Sequence, residues 1–412
     1  MTSQIHKYLD DFIDTYFSKG LQQFPMQTLS PESKIMFARI FQHILSAKEA
    51  WTRNQASVVG TPLTIPDNGS FPRGKDFHYI PKEIQVEIEN MDKEGIHYSI
   101  KINDRVFDIV MICPVDRPSK RQFFRTCIQK IYIWLHVVSQ YAPVKCSHHM
   151  SVYIYFTPLK KTVPRTNQSK VIKQAHANTA FTTQCMRTTE MYLFREEEWF
   201  KVFIHETFHN MGLDFSEFDH TESNSHILTV FPVKSDVRIY ETYCEVWALV
   251  LNVMFHVALS KKTQTIAKMM DETENLLEKE RRFSLFQCAK ILDIYGMEYD
   301  DLHNRKCEKA LHSRTYKYKE ETPILSYYIL KSIILFYLDD YVRWCMKHNH
   351  GSLNFNKNPQ TVKENILRYC QFIGDHYKGV EYIGSLLLME RWFDKNKTRK
   401  GAEMETMRMT LL

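Results

Sequence analysis

From residue 239 almost to its end, the chain carries apolar residues at helical spacing in one segment after another. This spacing predicts five helices, over 239–260, 262–295, 324–347, 359–376 and 380–394. Only 12 of the 412 residues are glycine and 14 are proline, below the usual ~7% and ~5%, so few residues would interrupt long helices. We therefore expect a large buried helical region, followed by a polar tail over 396–412 that is frayed.

The first 238 residues mix helical and strand patterns. Helices are expected within 1–57 and over 119–141, and a loop rich in glycine and proline over 58–82. Strands are expected at 84–89, 96–102, 105–112, 150–157, 179–185 and 190–194, with a tight hairpin at Asn103–Asp104. We predict an α+β fold, with N-terminal helices and a hairpin in 1–115, a mixed-sheet subdomain in 116–238 and a helical subdomain in 239–395.

Charge, cysteine content and hydropathy indicate the partners, the cellular compartment and the membrane contact to expect. The net charge of +6 is mild for a chain of this size, and it permits an acidic partner without demanding one. The nine cysteines form no CxxC pair, and no secretory signal is visible, so we expect reduced thiols in a cytoplasmic protein. The most apolar segments, 246–259 and 324–338, are shorter than a membrane span and predict core helices, with no membrane contact.

One helix of the sheet subdomain carries a metal-binding pattern. Residues 196–211 have an apolar helical stripe, with Glu196, Glu197 and Glu198 expected in the first turn and Gly212 at the C-terminal cap. The same helix contains His205-Glu206-Thr207-Phe208-His209, an HExxH sequence whose two histidines lie off that stripe. Residues four apart share a helix face, so both imidazoles can bind one zinc ion while Glu206 acts as general base on a metal-activated water.

The third zinc ligand decides the type of site. In the HExxHxxGxxH arrangement the last ligand would be residue 215, which is phenylalanine, while Asp214 is one position early. Further along, Glu241 and Glu245 share one face of a predicted helix that is mostly apolar. One of these acids can bind zinc while the other fixes the tautomer of a zinc histidine, and the pattern favours Glu241 as ligand without excluding the reverse.

HExxH followed on a later helix by Glu-x-x-x-Glu resembles the gluzincin zinc metallopeptidases. The resemblance implies that His205, His209 and Glu241 bind one zinc ion, that Glu206 is the base and that Glu245 orients a ligand. It also implies hydrolysis of a protein or peptide without a covalent intermediate. The segment from Glu197 to Ser216 is also similar to metallopeptidase-like proteins of large DNA viruses, which implies a location in the host cytoplasm or the virion.

Peptide hydrolysis needs a donor to the developing oxyanion, and proximity in sequence suggests Tyr240, Tyr243, His220 or His226. A substrate is often held as an added strand on a sheet edge. Residues 178–185 can be that edge or an ordinary core strand. The cleft is expected between the sheet and the helical subdomain.

Two alternatives to a peptidase remain open. The chain can be a catalytically silent metallopeptidase scaffold with a structural or assembly role, for example in a virion. It can also contact nucleic acid through the basic loop 158–173, which contains Lys160, Lys161, Arg165, Lys170 and Lys173 and no acid. Steeply salt-dependent binding would distinguish that last possibility.

Overall fold

The computed structural model describes residues 2–18, 28–65, 70–164, 171–260 and 265–412. The α-helices are α1 Thr2–Ile13, α2 Pro31–Asn54, α3 Lys82–Asn90, α4 Lys120–Val138, α5 Gln174–Ala177, α6 Trp199–Asn210, α7 Thr221–Val230, α8 Ile239–Ala258, α9 Ile266–Tyr295, α10 Tyr299–His303, α11 Glu308–His312, α12 Lys331–Phe336, α13 Leu338–His348, α14 Val362–His376, α15 Val380–Asn396 and α16 Ala402–Glu405. Short π-helical turns span Asp14–Ser18, Ser313–Lys317 and Leu325–Leu330, and a 3₁₀ turn spans Phe77–Tyr79. The protein is 57% helical and contains a mixed sheet, which confirms the predicted α+β class.

The sheet has six strands in the order β1-β2-β3-β4-β6-β5. The strands are β1 Thr61–Leu63, β2 Lys93–Ile102, β3 Arg105–Pro114, β4 His149–Tyr155, β5 Ala180–Thr182 and β6 Thr188–Leu193. β3, β4 and β6 run parallel to one another, whereas β1, β2 and β5 run antiparallel to their neighbours. The β2–β3 hairpin turns at Asn103–Asp104 as predicted, with Asn103 in the left-handed region at φ 52°.

The helix carrying the HExxH sequence is held between α4 and α8. The indole Nε1 of Trp134 on α4 donates to Thr207 Oγ1 at 2.6 Å, and the Trp134 ring stacks on Phe208. On the other side, His205 and His209 of α6 meet Glu241 of α8. Because neighbours on both sides cover α6, even its polar face is almost entirely buried, which fixes the positions of the two imidazoles.

The prediction of a strand at 84–89 is wrong, because these residues lie in α3. Ile84 and Ile88 are the buried apolar residues of this segment, and their spacing of four fits a helix as well as an alternating strand. Pro81 directly precedes α3, where the missing N–H of proline is tolerated. The polar sequence over 213–238, in which no helix is predicted above, also contains a helix, α7.

The acids expected in the first turn of the HExxH helix lie before it. The helix begins at Trp199, and Glu198 adopts the left-handed conformation at φ 58°. Glu197 and Glu198 are buried, and Glu198 Oε2 lies 2.7 Å from Lys161 Nζ. These acids therefore bind buried partners instead of capping the helix in solvent.

The prediction of a frayed C-terminal tail is also wrong. The segment 406–411, which we call the C-terminal segment, is buried at every residue and lies beside the HExxH helix. Its backbone is bound by side chains from distant helices, and hydropathy along the chain does not reveal such contacts.

A disulfide joins Cys146 to Cys185, so the prediction of nine reduced thiols is wrong at this pair. The two cysteines lie 39 residues apart in sequence, and folding brings their Cα atoms to 4.8 Å. Gly212, at φ 67°, packs against Cys146 so closely that a Cβ there would lie 2.7 Å from the sulfur.

Among the described residues, no helix combines the length and apolarity that crossing a bilayer requires.

Candidate metal centre

Three side chains from two helices present their polar atoms to one point. His205 Nε2 lies 3.1 Å from Glu241 Oε2, His209 Nε2 lies 3.5 Å from the same oxygen, and the two Nε2 atoms lie 3.3 Å apart. Ligand atoms about 2.0–2.1 Å from a tetrahedral zinc ion are about 3.3–3.4 Å from one another. The triangle of two nitrogens and one oxygen therefore has the dimensions of one face of a zinc coordination sphere.

The second acid of α8 takes the outer position. Glu245 Oε2 lies 3.1 Å from His205 Nδ1, an ion-pair contact rather than a well-aligned hydrogen bond. Glu245 Oε1 meets the ammonium groups of Lys201 and Lys331, the second at 3.1 Å. Glu241 thus lies at the point shared by the two Nε2 atoms, whereas Glu245 lies at the outer nitrogen of His205.

Asp214 has a role that the sequence analysis did not assign to it. Its Oδ2 lies 2.7 Å from His209 Nδ1, on the side of the ring away from Glu241. Each of the two histidines thus has its own carboxylate at the outer nitrogen, which directs Nε2 to the shared point. The tight turn after α6, through Gly212, brings Asp214 back to the helix end.

The charges of these groups are coupled. Burial would lower the pKa of His209, but Cys244, Asp214 and Glu241 around it raise that pKa well above its usual value. Burial would raise the pKa of Glu241, but His209 and His205 lower it well below its usual range. Four buried carboxylates, those of Glu206, Asp214, Glu241 and Glu245, surround the two imidazoles. The two lysines on Glu245 offset only part of their charge, and the remainder favours a divalent cation in place of protons.

Glu206 is buried and borders the open space beside the two imidazoles. It lines a cleft of about 570 Å³ together with His205, His209 and Glu241. Burial raises the pKa of Glu206, which brings a carboxylate closer to the basicity that a general base needs. The cleft is bounded by strand β5 and, across from it, by α8 and the segment 320–327, so it separates the sheet from the helical region as predicted.

Of the four candidate oxyanion donors, only Tyr240 is among the cleft residues that the structure describes. Tyr240 lines the cleft, and its ring centroid lies 6.0 Å from that of His209. The prediction for Tyr243 is wrong, because its hydroxyl is buried and donates to Leu353 O at 2.9 Å. His220 packs against Tyr240 behind the cleft wall, and His226 lies on α7 beside Gly374.

Tyr327 is a cleft residue that the sequence analysis missed. Its hydroxyl donates to Glu241 Oε2 at 3.2 Å, and its ring centroid lies 6.2 Å from that of His205. Burial raises the pKa of Tyr327 well above its usual value, so the hydroxyl keeps its proton. Tyr327 and Glu241 are separated by 86 positions in sequence, so no local pattern signalled this contact.

A second cluster, formed by His209, Asp214 and Cys244, fits a metal less well. The 2.7 Å between His209 Nδ1 and Asp214 Oδ2 is a hydrogen-bond distance, shorter than the ~3.3 Å between two ligand atoms of one zinc ion. Burial also raises the pKa of the Cys244 thiol, which disfavours the thiolate that binds metals. The described residues thus favour the cluster of His205, His209 and Glu241.

The basic loop is only partly available to a partner. Lys161 is buried and ion-paired with Glu198, and Lys173 lies 3.8 Å from Glu321. Lys160 is exposed, while Arg165 and Lys170 lie outside the described residues. Two of the five cations that suggested nucleic-acid contact therefore face acids of the protein itself.

No protein-family model, curated protein or solved structure matches this chain. The likeness to gluzincins accordingly consists of five side chains, those of His205, Glu206, His209, Glu241 and Glu245. Folding brings all five together from two helices.

Proposed function

We propose that this protein is a zinc-dependent peptidase of the gluzincin type. The observation that carries the proposal is the triangle formed by His205 Nε2, His209 Nε2 and Glu241 Oε2, with sides of 3.1, 3.3 and 3.5 Å. Two imidazoles and one carboxylate, with an open cleft in front of them, match the ligand set of catalytic rather than structural zinc sites. A zinc ion bound here supplies Lewis acidity and lowers the pKa of water toward ~7.

The remaining steps belong to side chains of the chain itself. Glu206 accepts the proton of the attacking water and returns it to the nitrogen of the leaving amine. Tyr327 or Tyr240 donates a hydrogen bond to the oxygen of the peptide carbonyl as negative charge develops on it. Glu245 and Asp214 keep the histidine rings in the orientation that this chemistry needs.

Strand β5 supports a peptide as substrate. It is the terminal strand of the sheet, and Ala180, Phe181 and Thr182 line the cleft beside the histidines. An extended peptide can pair with such an edge through its main chain, which places a peptide bond near Glu206. A protein or peptide therefore fits this cleft better than a small compact molecule does.

The Glu206→Gln variant tests the proposal. Glutamine keeps the shape of the side chain but cannot accept the proton, so zinc binding should persist while cleavage of a peptide library disappears. Full activity of this variant would refute the assigned base. Stoichiometric zinc without cleavage of any peptide by the wild-type protein would instead favour a structural or assembly role.

A further inference from the structure

The C-terminal segment 406–411 is held mainly through its backbone. The side chains that bind this backbone are buried and belong to other elements of the fold. Lys290 Nζ donates to Thr406 O at 2.7 Å, and Tyr328 donates to Met407 O at 2.6 Å. Glu198 Oε1 accepts from the amides of Met409 and Thr410, both at 2.8 Å. Buried charges that bind backbone groups in this way select one position of the segment.

Two of these contacts lead to the metal centre. Lys331 Nζ donates to Met409 O at 2.8 Å and lies 3.1 Å from Glu245 Oε1, the acid behind His205. Glu198 immediately precedes the helix that carries His205 and His209. Met409 itself lines a small cavity with His205, Glu206 and Glu245.

The buried ammonium group of Lys331 is stable only when both of its hydrogen-bond acceptors are in place. Its side chain is 2% exposed, so the ammonium must find acceptors inside the protein. The carbonyl of Met409 and the carboxylate of Glu245 are such acceptors, one in the C-terminal segment and one in the metal centre. A displacement of the segment therefore changes the balance of charges around Glu245.

We infer that Lys331 is a positioning residue that couples the C-terminal segment to the metal centre through Glu245. The inference rests on the proposed zinc site but not on peptidase activity. Coupling is reciprocal, so zinc should stabilise the segment just as the seated segment strengthens zinc binding.

The coupling is measured first on the unaltered protein. Hydrogen exchange of the peptide covering Thr406–Leu412 is followed with and without zinc. We expect zinc to slow exchange of the amides of Met409, Thr410 and Leu411 by about tenfold or more. Equal exchange rates in a protein that binds zinc stoichiometrically would overturn the inference, whereas absence of zinc binding would overturn the metal site itself.

Variants of two buried lysines then separate coupling from packing. In Lys331→Met we expect about tenfold weaker zinc binding, the lower end of the effect of losing an outer-sphere partner, and loss of the zinc-dependent protection of the segment. Lys331→Arg should restore part of both properties, because it returns a second cation to Glu245 beside Lys201 and a donor to Met409 O. The visible absorption bands of the Co²⁺-substituted protein provide a spectroscopic measurement. We expect these bands to differ between Lys331→Met and the unaltered protein, because displacement of His205 changes them.

Lys290→Met is the matched control. Lys290 is as buried as Lys331 and binds the same segment, but its contact is to Thr406 O and not to Glu245. We expect this variant to lose stability while keeping wild-type zinc affinity in its folded fraction and zinc-dependent protection at Met409 and Thr410. Equal loss of zinc affinity in the two variants would contradict a specific role for Lys331.

Discussion

Asp214 Oδ2 lies 2.7 Å from His209 Nδ1 and holds the outer nitrogen of the second histidine. The residue is one position short of the last ligand in the HExxHxxGxxH arrangement, and its carboxylate meets Nδ1 of His209, not the point shared by the two Nε2 atoms. A carboxylate behind a metal-binding histidine fixes the tautomer and raises the basicity of the ligand nitrogen. Asp214 thus does for His209 what Glu245 does for His205.

Asp214→Ala should weaken zinc binding by about 10- to 100-fold, the usual effect of losing such an outer partner. Competition with a chelator of known affinity measures the change. Asp236→Ala is the matched control, because Asp236 lines the same cleft but pairs with Arg238 at the surface. Wild-type zinc affinity in Asp214→Ala would show that the contact is unimportant for the metal.

If Tyr327 is the oxyanion donor, Tyr327→Phe should lower kcat by about 10²- to 10³-fold at saturating zinc. It should also weaken zinc binding, because the lost hydroxyl donates to Glu241 Oε2. The same measurement on Tyr240→Phe decides between the two tyrosines of the cleft. Tyr243→Phe serves as control, since its hydroxyl binds Leu353 O away from the cleft and should affect stability only. Undiminished kcat in both cleft variants would exclude a tyrosine as the donor.

Glu280 should make the protein less stable as the pH rises toward neutrality. Burial raises the pKa of Glu280 from 4.5 to about 7, against the opposing effect of hydrogen bonds from Thr410 and Leu411. Between those pH values the folded state binds more protons than the unfolded state, so the free energy of unfolding falls as the pH rises. This loss of stability is complete above the pKa that Glu280 has in the folded protein.

Glu280→Gln removes this titration. Thermal unfolding at pH 8 should show the variant more stable than the wild type, by at most about 3 kcal/mol, with the difference vanishing near pH 4.5. Glutamine keeps one acceptor for Thr410 and Leu411, which limits the cost of the change. A variant that is less stable than the wild type at both pH values would contradict the burial of a charge at this position.

The disulfide between Cys146 and Cys185 should contribute substantially to stability. It closes a loop with a sequence separation of 39, for which chain entropy gives about 4 kcal/mol as an upper value. We expect a reductant to lower the Tm of the wild type to that of Cys185→Ser and to leave the variant unchanged. Equal Tm values of the oxidised wild type and the variant would indicate that the bond does not form in solution.

Local periodicity was sufficient to predict the fold class and the pair of histidines. Residues 205 and 209 share a helix face wherever that helix packs, and the turn at Asn103–Asp104 is determined by its own two residues. The same kind of signal failed at 82–90, because Ile84 and Ile88 suit a strand and a helix equally. In this segment Pro81 was the residue that indicated the start of a helix.

Partners that meet only in the folded protein could not be predicted. Tyr327 and Lys331 reach the metal centre from elements far along the chain, and both lie in the mostly apolar stretch 324–338, whose pattern predicts only a core helix. The C-terminal segment alternates polar and apolar residues, and acids and lysines buried in distant elements bind its backbone. Asp214 was visible as an acid after the HExxH sequence, but its distance from the histidine depends on the turn at Gly212.

Anomalous scattering at the zinc absorption edge, from crystals of the zinc-loaded protein, tests the central claim most directly. We expect one strong peak about 2.0–2.2 Å from His205 Nε2, His209 Nε2 and an oxygen of Glu241. A peak between His209 Nδ1, Asp214 and Cys244, or no ordered zinc near either histidine, would contradict the account.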